Sequence, residues 1–135
     1  IYIIGFKKGL KEWKRILKPN GIIAVTELSW IADDIPKEIS EFWSLEYSEM
    51  QSVEENINTA NVCGYHVESH FKLPESAWFD DYYAPLEIRI NELKVKYEDN
   101  EEAQKALNNE LKEIVMYKQY SAYYGYEFYV LRSTK

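Results

Sequence analysis

The stretch that most limits what this chain can fold into is a short stop followed at once by an apolar run. Leu17-Lys18-Pro19-Asn20-Gly21 ends a helical pattern and turns the chain, with Pro19 supplying a fixed φ and Gly21 expected to supply a positive one. Ile22-Ile23-Ala24-Val25-Thr26-Glu27-Leu28 follows. Its four leading apolar residues show no alternation, which predicts a strand covered on both faces. Ahead of the turn, Phe6, Leu10, Trp13 and Leu17 recur at helical spacing, with Lys7, Lys8, Lys11, Lys14 and Arg15 between them. That is an amphipathic helix with one apolar stripe. Helix, short turn and doubly buried strand form the second half of a βαβ crossover, so the fold class is α/β.

The remaining elements follow from caps and periodicity. Asp33 or Asp34 is expected to cap a second helix, with Pro36 near its first turn and Ile39, Phe42 and Trp43 facing inward. Ser52-Val53-Glu54-Glu55 matches a capping box that opens a third helix through Val53, Ile57 and Ala60. Gly64 stands where a helix C-terminus needs a left-handed residue. From Tyr65 to Leu73 the chain alternates, which predicts an antiparallel or edge strand. Tyr65, Val67, Ser69, Phe71 and Leu73 share one face, and His66, Glu68, His70 and Lys72 the solvated one. Residues 80–123 read as a helical insertion built as a hairpin. One helix starts at Pro85 and carries Leu86, Ile90, Leu93 and Tyr97. The other is capped by Asp99-Asn100-Glu101-Glu102 and carries Ala103, Leu107, Leu111, Ile114 and Val115. Tyr124 to Leu131 closes the chain as an aromatic strand broken by Gly125.

Leu17 to Glu27 resembles the LKPGG turn and fifth strand of class I S-adenosylmethionine-dependent methyltransferases. The order of the flanking segments fits too. The first helix is similar to the one after strand four, and Asn61-Val62-Cys63-Gly64-Tyr65-His66-Val67 is similar to the AGF-x-V passage into strand six. The last strand resembles strand seven, which in that family runs antiparallel between strands five and six. Ile1-Tyr2-Ile3-Ile4-Gly5-Phe6, Glu12-Trp13 and Glu27-Leu28-Ser29-Trp30 resemble a bacterial subgroup near the quinone-biosynthesis type.

The resemblance implies a Rossmann-like three-layer sandwich of which residues 1–135 are the C-terminal portion of one domain. The five glycines, at 5, 9, 21, 64 and 125, form no Gly-rich loop. S-adenosylmethionine would therefore be bound mainly by an N-terminal half, and this piece is expected to be inactive alone. The resemblance implies Tyr2 and Ile4 as cofactor-binding residues. On the acceptor side it implies Phe6, Glu27, Ser29, Trp30, Trp78, Phe79, Tyr82 and Tyr83, with a small molecule as the methyl acceptor. A second expectation, of another class, is a non-catalytic binding or assembly module. In it, Ile22 to Leu28 paired on one side only would invite a second copy, giving a homodimer.

Charge and composition trim the alternatives. Lys+Arg of 16 against Asp+Glu of 23 gives a net charge of −7, which disfavours nucleic acid and anionic membranes. No apolar run approaches the ~20 residues of a membrane helix. The lone Cys63 excludes a disulfide framework within the chain and fits a reducing cytoplasm. His66 and His70, at roughly 3.3 Å per residue, stand about 13 Å apart on the strand, too far to share a metal. No metal is expected. Asp33-Asp34, Asp80-Asp81 and Glu101-Glu102 each sit where a helix begins and read as caps and dipole partners.

Overall fold

The computed structural model describes residues 4–134. Two compact units result, one of Ile1–Leu73 with Ala122–Lys135, the other of Pro74–Ser121.

The first unit is built on a sheet of β1 (Ile22–Trp30), β2 (Gln51–Ser52), β3 (Tyr65–Lys72) and β4 (Tyr124–Ser133). Its order is β2-β1-β4-β3. The last strand thus enters between β1 and β3 and runs antiparallel to both. β4 pairs with β1 without interruption, and Gly125 does not break it but pairs with Ser29. Among the described residues, β1 pairs with β4 along its whole length and with β2 only at Ser29 and Trp30.

Helix α1 (Phe6–Lys14) buries Phe6 and Leu10, with Trp13 and Leu17 packed at the margin of the same core. Val25, Ala60, Cys63, Tyr65, Tyr129 and Leu131 complete that core. Helix α3 (Val53–Val62) covers the same sheet face, whereas α2 (Lys37–Glu46) sets Trp43 edge-on against Tyr124, 5.3 Å between rings. Tyr124 and Tyr129 differ in strand parity and so point to opposite faces, which makes three layers.

Several local expectations change. The left-handed residue of the 18–21 turn is Asn20, φ 58°, because an Asn side chain tolerates that basin. Helix α2 takes Pro36 as its N-cap, with no side-chain cap from Asp33 or Asp34. The leading half of β1 is not covered on both faces, since Ile22 is 50% exposed and burial begins at Val25. Most consequential is a bulge in β3 between Val67 and Ser69. One extra residue reverses the alternation beyond it. His70 then pairs with Tyr129 and joins the helix-covered face, rather than the solvated face with His66.

The second unit runs through α4 (Glu75–Trp78), a π-helical turn (Phe79–Tyr83), α5 (Ala84–Lys96) and α6 (Glu101–Tyr120). Asn100 caps α6 by accepting from the Ala103 amide, and Pro85 stands in the first turn of α5.

The capping box is present in full: the Ser52 hydroxyl accepts from the Glu55 amide, and the Glu55 carboxylate accepts from the Ser52 amide. Ser52 also pairs with Trp30 in the sheet, so the box fixes how α3 leaves β2. Ser52→Ala should therefore lower stability by about 1 kcal/mol in urea unfolding. A change within a few tenths of that of an exposed control substitution would contradict the assignment.

Candidate functional site

Chemistry concentrates where β1 and β3 end and β4 begins. In α/β sheets the ligand crevice lies outside the carboxyl ends of the parallel strands. β1 and β3 both run antiparallel to β4, so they run parallel to each other. Glu27, Ser29 and Trp30 fall at the end of β1, His70 at the end of β3 and Glu127 near the start of β4.

Glu27 and Glu127 stand directly opposite each other in the β1–β4 register. Both are buried, and opposed residues of an antiparallel pair share a face with Cβ atoms roughly 5 Å apart. Each carboxyl has a close neighbour, and Lys72 also stands opposite Glu127 in the β3–β4 register. Tyr47, just beyond α2, donates its hydroxyl to Glu27 Oε1 at 2.5 Å. His70 Nδ1 lies 2.6 Å from Glu127 Oε1. Glu27 Oε2 is buried and has no partner among the described residues.

Burial penalises the charged form and pushes the Glu27 carboxyl from 4.5 to about 7, against the opposing effect of the Tyr47 hydroxyl. The Glu49 charge adds to the rise. Burial likewise raises Tyr47, and its bond to Glu27 holds the phenol neutral. The Phe6 backbone amide works the other way by donating to that phenol oxygen.

Beside the carboxyl pair lies a closed polar network. Asn56 of α3 donates to Ser29 Oγ at 3.0 Å and to Tyr129 Oη at 3.3 Å, and Ser29 and Tyr129 are 3.1 Å apart. Ser29 also donates to the Glu27 carbonyl. Burial pushes Tyr129 up to about 12, so it stays a neutral donor. Every member finds a partner, as buried polar groups must.

The expected site residues fall into two groups, one in each unit. Ile4, 38% exposed, lines a cavity of about 290 Å³ with Gly5, Glu46, Tyr47 and Glu49. Phe6 is core, its ring 5.5 Å from Tyr129. Trp30 packs edge-on to Tyr124 at 6.1 Å. Tyr2 lies outside the described residues. Trp78 and Tyr83 form the core of the second unit with Tyr117, and Phe79 stacks at its margin. Tyr83 donates to Glu113 at 2.5 Å, while Tyr82 is 55% exposed.

Sequence reasoning missed Tyr47, Asn56, His70, Glu127 and the role of Tyr129. Asn56 sits on the stripe Val53-Asn56-Ile57-Ala60, and Glu127 on the inward parity of β4, so both carried a signal. His70 was hidden by the bulge, and nothing local marks Tyr47. Among the described residues no cluster of His, Cys, Asp and Glu has metal-binding geometry. No described helix is long and apolar enough to cross a membrane.

No family model matches the chain, and no curated protein matches it. Solved structures do. A S-adenosylmethionine-dependent methyltransferase from Geobacter sulfurreducens, in complex with S-adenosylhomocysteine, matches 93% of this chain at 19% identity and TM-score 0.70. One from Thiobacillus denitrificans, with the same ligand, matches 94% at 16% identity and TM-score 0.71. Phosphoethanolamine N-methyltransferase 2 of Haemonchus contortus, with S-adenosylmethionine, matches 99% at 17% identity and TM-score 0.70. The fold is that of a methyltransferase half. The chain spans 51%, 52% and 31% of those three proteins. The antiparallel last strand between β1 and β3 is the topology that the resemblance to this methyltransferase fold implied.

Within this half-fold Glu27 offers a titration to test. It binds its proton more tightly folded than unfolded, so its contribution to stability is present below about pH 4.5 and lost as pH rises through about 7. At roughly 1.4 kcal/mol per pKa unit the loss is about 3 kcal/mol. Glu27→Gln removes the titration but keeps an acceptor for Tyr47. The variant should therefore gain on the wild type by up to about 3 kcal/mol across that window in urea unfolding. A difference that does not change with pH would contradict the burial of this carboxyl.

Proposed function

We propose that this chain is the acceptor-side half of a S-adenosylmethionine-dependent methyltransferase acting on a small molecule. The observation that carries the reading is the sheet order β2-β1-β4-β3, with buried polar groups gathered at the carboxyl ends of β1 and β3. Crevices at that end of an α/β sheet bind ligands.

The residues present suit one end of the cofactor. The cavity lined by Ile4, Gly5, Glu46, Tyr47 and Glu49 is acidic and has an aromatic wall, a setting that favours a cation. Bound, the cofactor supplies a methyl group activated on a positively charged sulfur. Tyr2 and Ile4 would border it, with the rest held by an upstream half. Methyl transfer is an in-line displacement, so the chain's contribution is alignment and exclusion of water more than acid–base power. Trp30, the last residue of β1, would offer an aromatic surface on the Tyr124 side of the sheet, and Tyr82 is an exposed aromatic of the helical unit. Within the sheet unit Phe6 and Ser29 would shape the acceptor side through packing, whereas Trp78, Phe79 and Tyr83 pack within the helical unit. The compartment proposed is the cytoplasm.

The test is calorimetric binding of S-adenosylhomocysteine to the full-length protein and to the 135-residue chain alone. The full-length form should bind at least about 100-fold tighter, a difference of about 2.7 kcal/mol. It should also transfer methyl label to a small-molecule extract, whereas the chain alone should not. Absence of binding by the full-length form would refute the reading.

A further inference from the structure

We propose that His70 is the general base of the methyl-transfer site and that Glu127 is the residue that positions it. The acceptor is thus a molecule whose reacting atom still carries a proton, a hydroxyl or a thiol. This role rests on the methyl-transfer reading above and narrows it to a substrate class.

Three features of the sheet converge on this ring. The bulge in β3 between Val67 and Ser69 turns His70 onto the helix-covered face, where it pairs with Tyr129. Bulges recur beside active sites because the extra residue re-aims a side chain. His70 also lies near the carboxyl end of β3, the end at which ligand crevices open in α/β sheets. Finally, the ring is held from two sides. Nδ1 lies 2.6 Å from Glu127 Oε1, and Tyr129 stacks against the ring with centroids 6.2 Å apart and planes 28° apart.

The bond to Glu127 decides which nitrogen can take a proton. A carboxylate only accepts, so the hydrogen between the two groups belongs to Nδ1 and the neutral ring keeps its lone pair on Nε2. Among the described residues Nε2 has no hydrogen-bond partner. The His70 side chain is 40% exposed, so a bound molecule can approach the ring without crossing the core, whereas the Glu127 side chain is 5% exposed and holds it from below. Glu127 has other charged neighbours: Lys72 stands opposite it in the β3–β4 register and Glu27 in the β1–β4 register. The 2.6 Å bond forms beside both, and a base is oriented by that bond whatever else flanks the carboxyl.

Methyl transfer to a hydroxyl or thiol must release a proton, and imidazole is the side chain best matched to take it near neutral pH. The X–H bond of the acceptor breaks and an N–H bond forms at Nε2. The electron pair left on oxygen or sulfur forms the bond to the methyl carbon of a sulfonium donor. The S–C bond breaks with its electrons staying on the donor sulfur. The positive charge thus passes to the imidazolium, where the buried Glu127 carboxylate faces it across Nδ1. A tertiary amine has no proton to lose and gains nothing from such a base.

The experiment compares the full-length protein with its His70→Gly variant in transfer of labelled methyl from S-adenosylmethionine to a small-molecule extract. The variant should label at least about 100-fold more slowly. Added imidazole should raise its rate at least about tenfold and leave the wild type unchanged, a rescue that a merely structural histidine would not show. Calorimetric binding of S-adenosylhomocysteine should differ by less than about twofold between the two, because the base meets the acceptor. Glu127→Gln should slow labelling by about tenfold or more. The labelled product should be an ether or thioether. An undiminished rate in His70→Gly, a loss that imidazole does not repair, or a quaternary ammonium product would each overturn the proposal. If His70→Gly does not fold, nitrogen NMR of the wild type decides. At about pH 9, above the ordinary histidine range, the ring in contact with Tyr129 should carry its hydrogen on Nδ1, and a hydrogen on Nε2 would overturn the proposal. S-adenosylhomocysteine separates the two failures. Its binding by the wild type, together with a fully active variant, overturns the base alone. A wild type that does not bind it overturns the methyl-transfer reading, and the base falls with it.

Discussion

The antiparallel pairing of β4 with β1 is the constraint on which the rest depends. It places Glu127 opposite Glu27, Gly125 opposite Ser29 and Tyr129 opposite Val25. Because side chains alternate along a strand, a one-residue slip of β4 would send Glu127 to the other face and bring Phe128 opposite Glu27. Register at this point is held by the side chains themselves. The Ser29–Asn56–Tyr129 network ties β1 to α3 and β4, and Tyr65 ties β3 to α1 through the Leu10 carbonyl at 2.9 Å. Polar groups this deep are expensive unless partnered, so the network specifies one arrangement over its neighbours. Glu27 Oε2 is one of the atoms among the described residues where that rule is broken.

Much of the fold was legible because local rules and tertiary structure agree. The capping box at Ser52, the left-handed Gly64 and the stripe Phe6-Leu10-Trp13-Leu17 each have one physical reading. The inserted antiparallel strand was not legible from periodicity. It entered through a resemblance in segment order, and the observed topology bears it out. What escaped the sequence has identifiable causes. A bulge leaves no mark in a composition pattern, so the shift of His70 onto the helix-covered face could not be read from alternation. Tyr47 reaches Glu27 from twenty residues away, a contact that no local signal encodes. The apolar run Ile22 to Val25 suggested cover on both faces, yet Ile22 is half exposed.

The two units divide the labour differently from what aromatic content alone suggests. The tyrosines and tryptophan of the helical unit largely face inward, with Trp78, Tyr83 and Tyr117 stacked as its core. The polar and titratable chemistry lies in the sheet unit. A half-fold whose buried acids sit at the strand ends is suited to position an acceptor, while a Gly-rich cofactor loop is absent from the sequence. The assembly-module reading draws on another feature, since β1 has strand partners on its β2 side only at Ser29 and Trp30 among the described residues. It offers no account of the buried polar groups at the ends of β1 and β3, which the methyl-transfer reading uses.

The measurement that tests this account most directly is a site-resolved carbon NMR titration of the Glu27 carboxyl, assigned by comparison with Glu27→Gln. A carboxyl buried opposite Glu127 and hydrogen-bonded by Tyr47 should titrate near pH 7. A midpoint near its ordinary 4.5 would mean that Glu27 is solvated and that the facing pair of glutamates does not form.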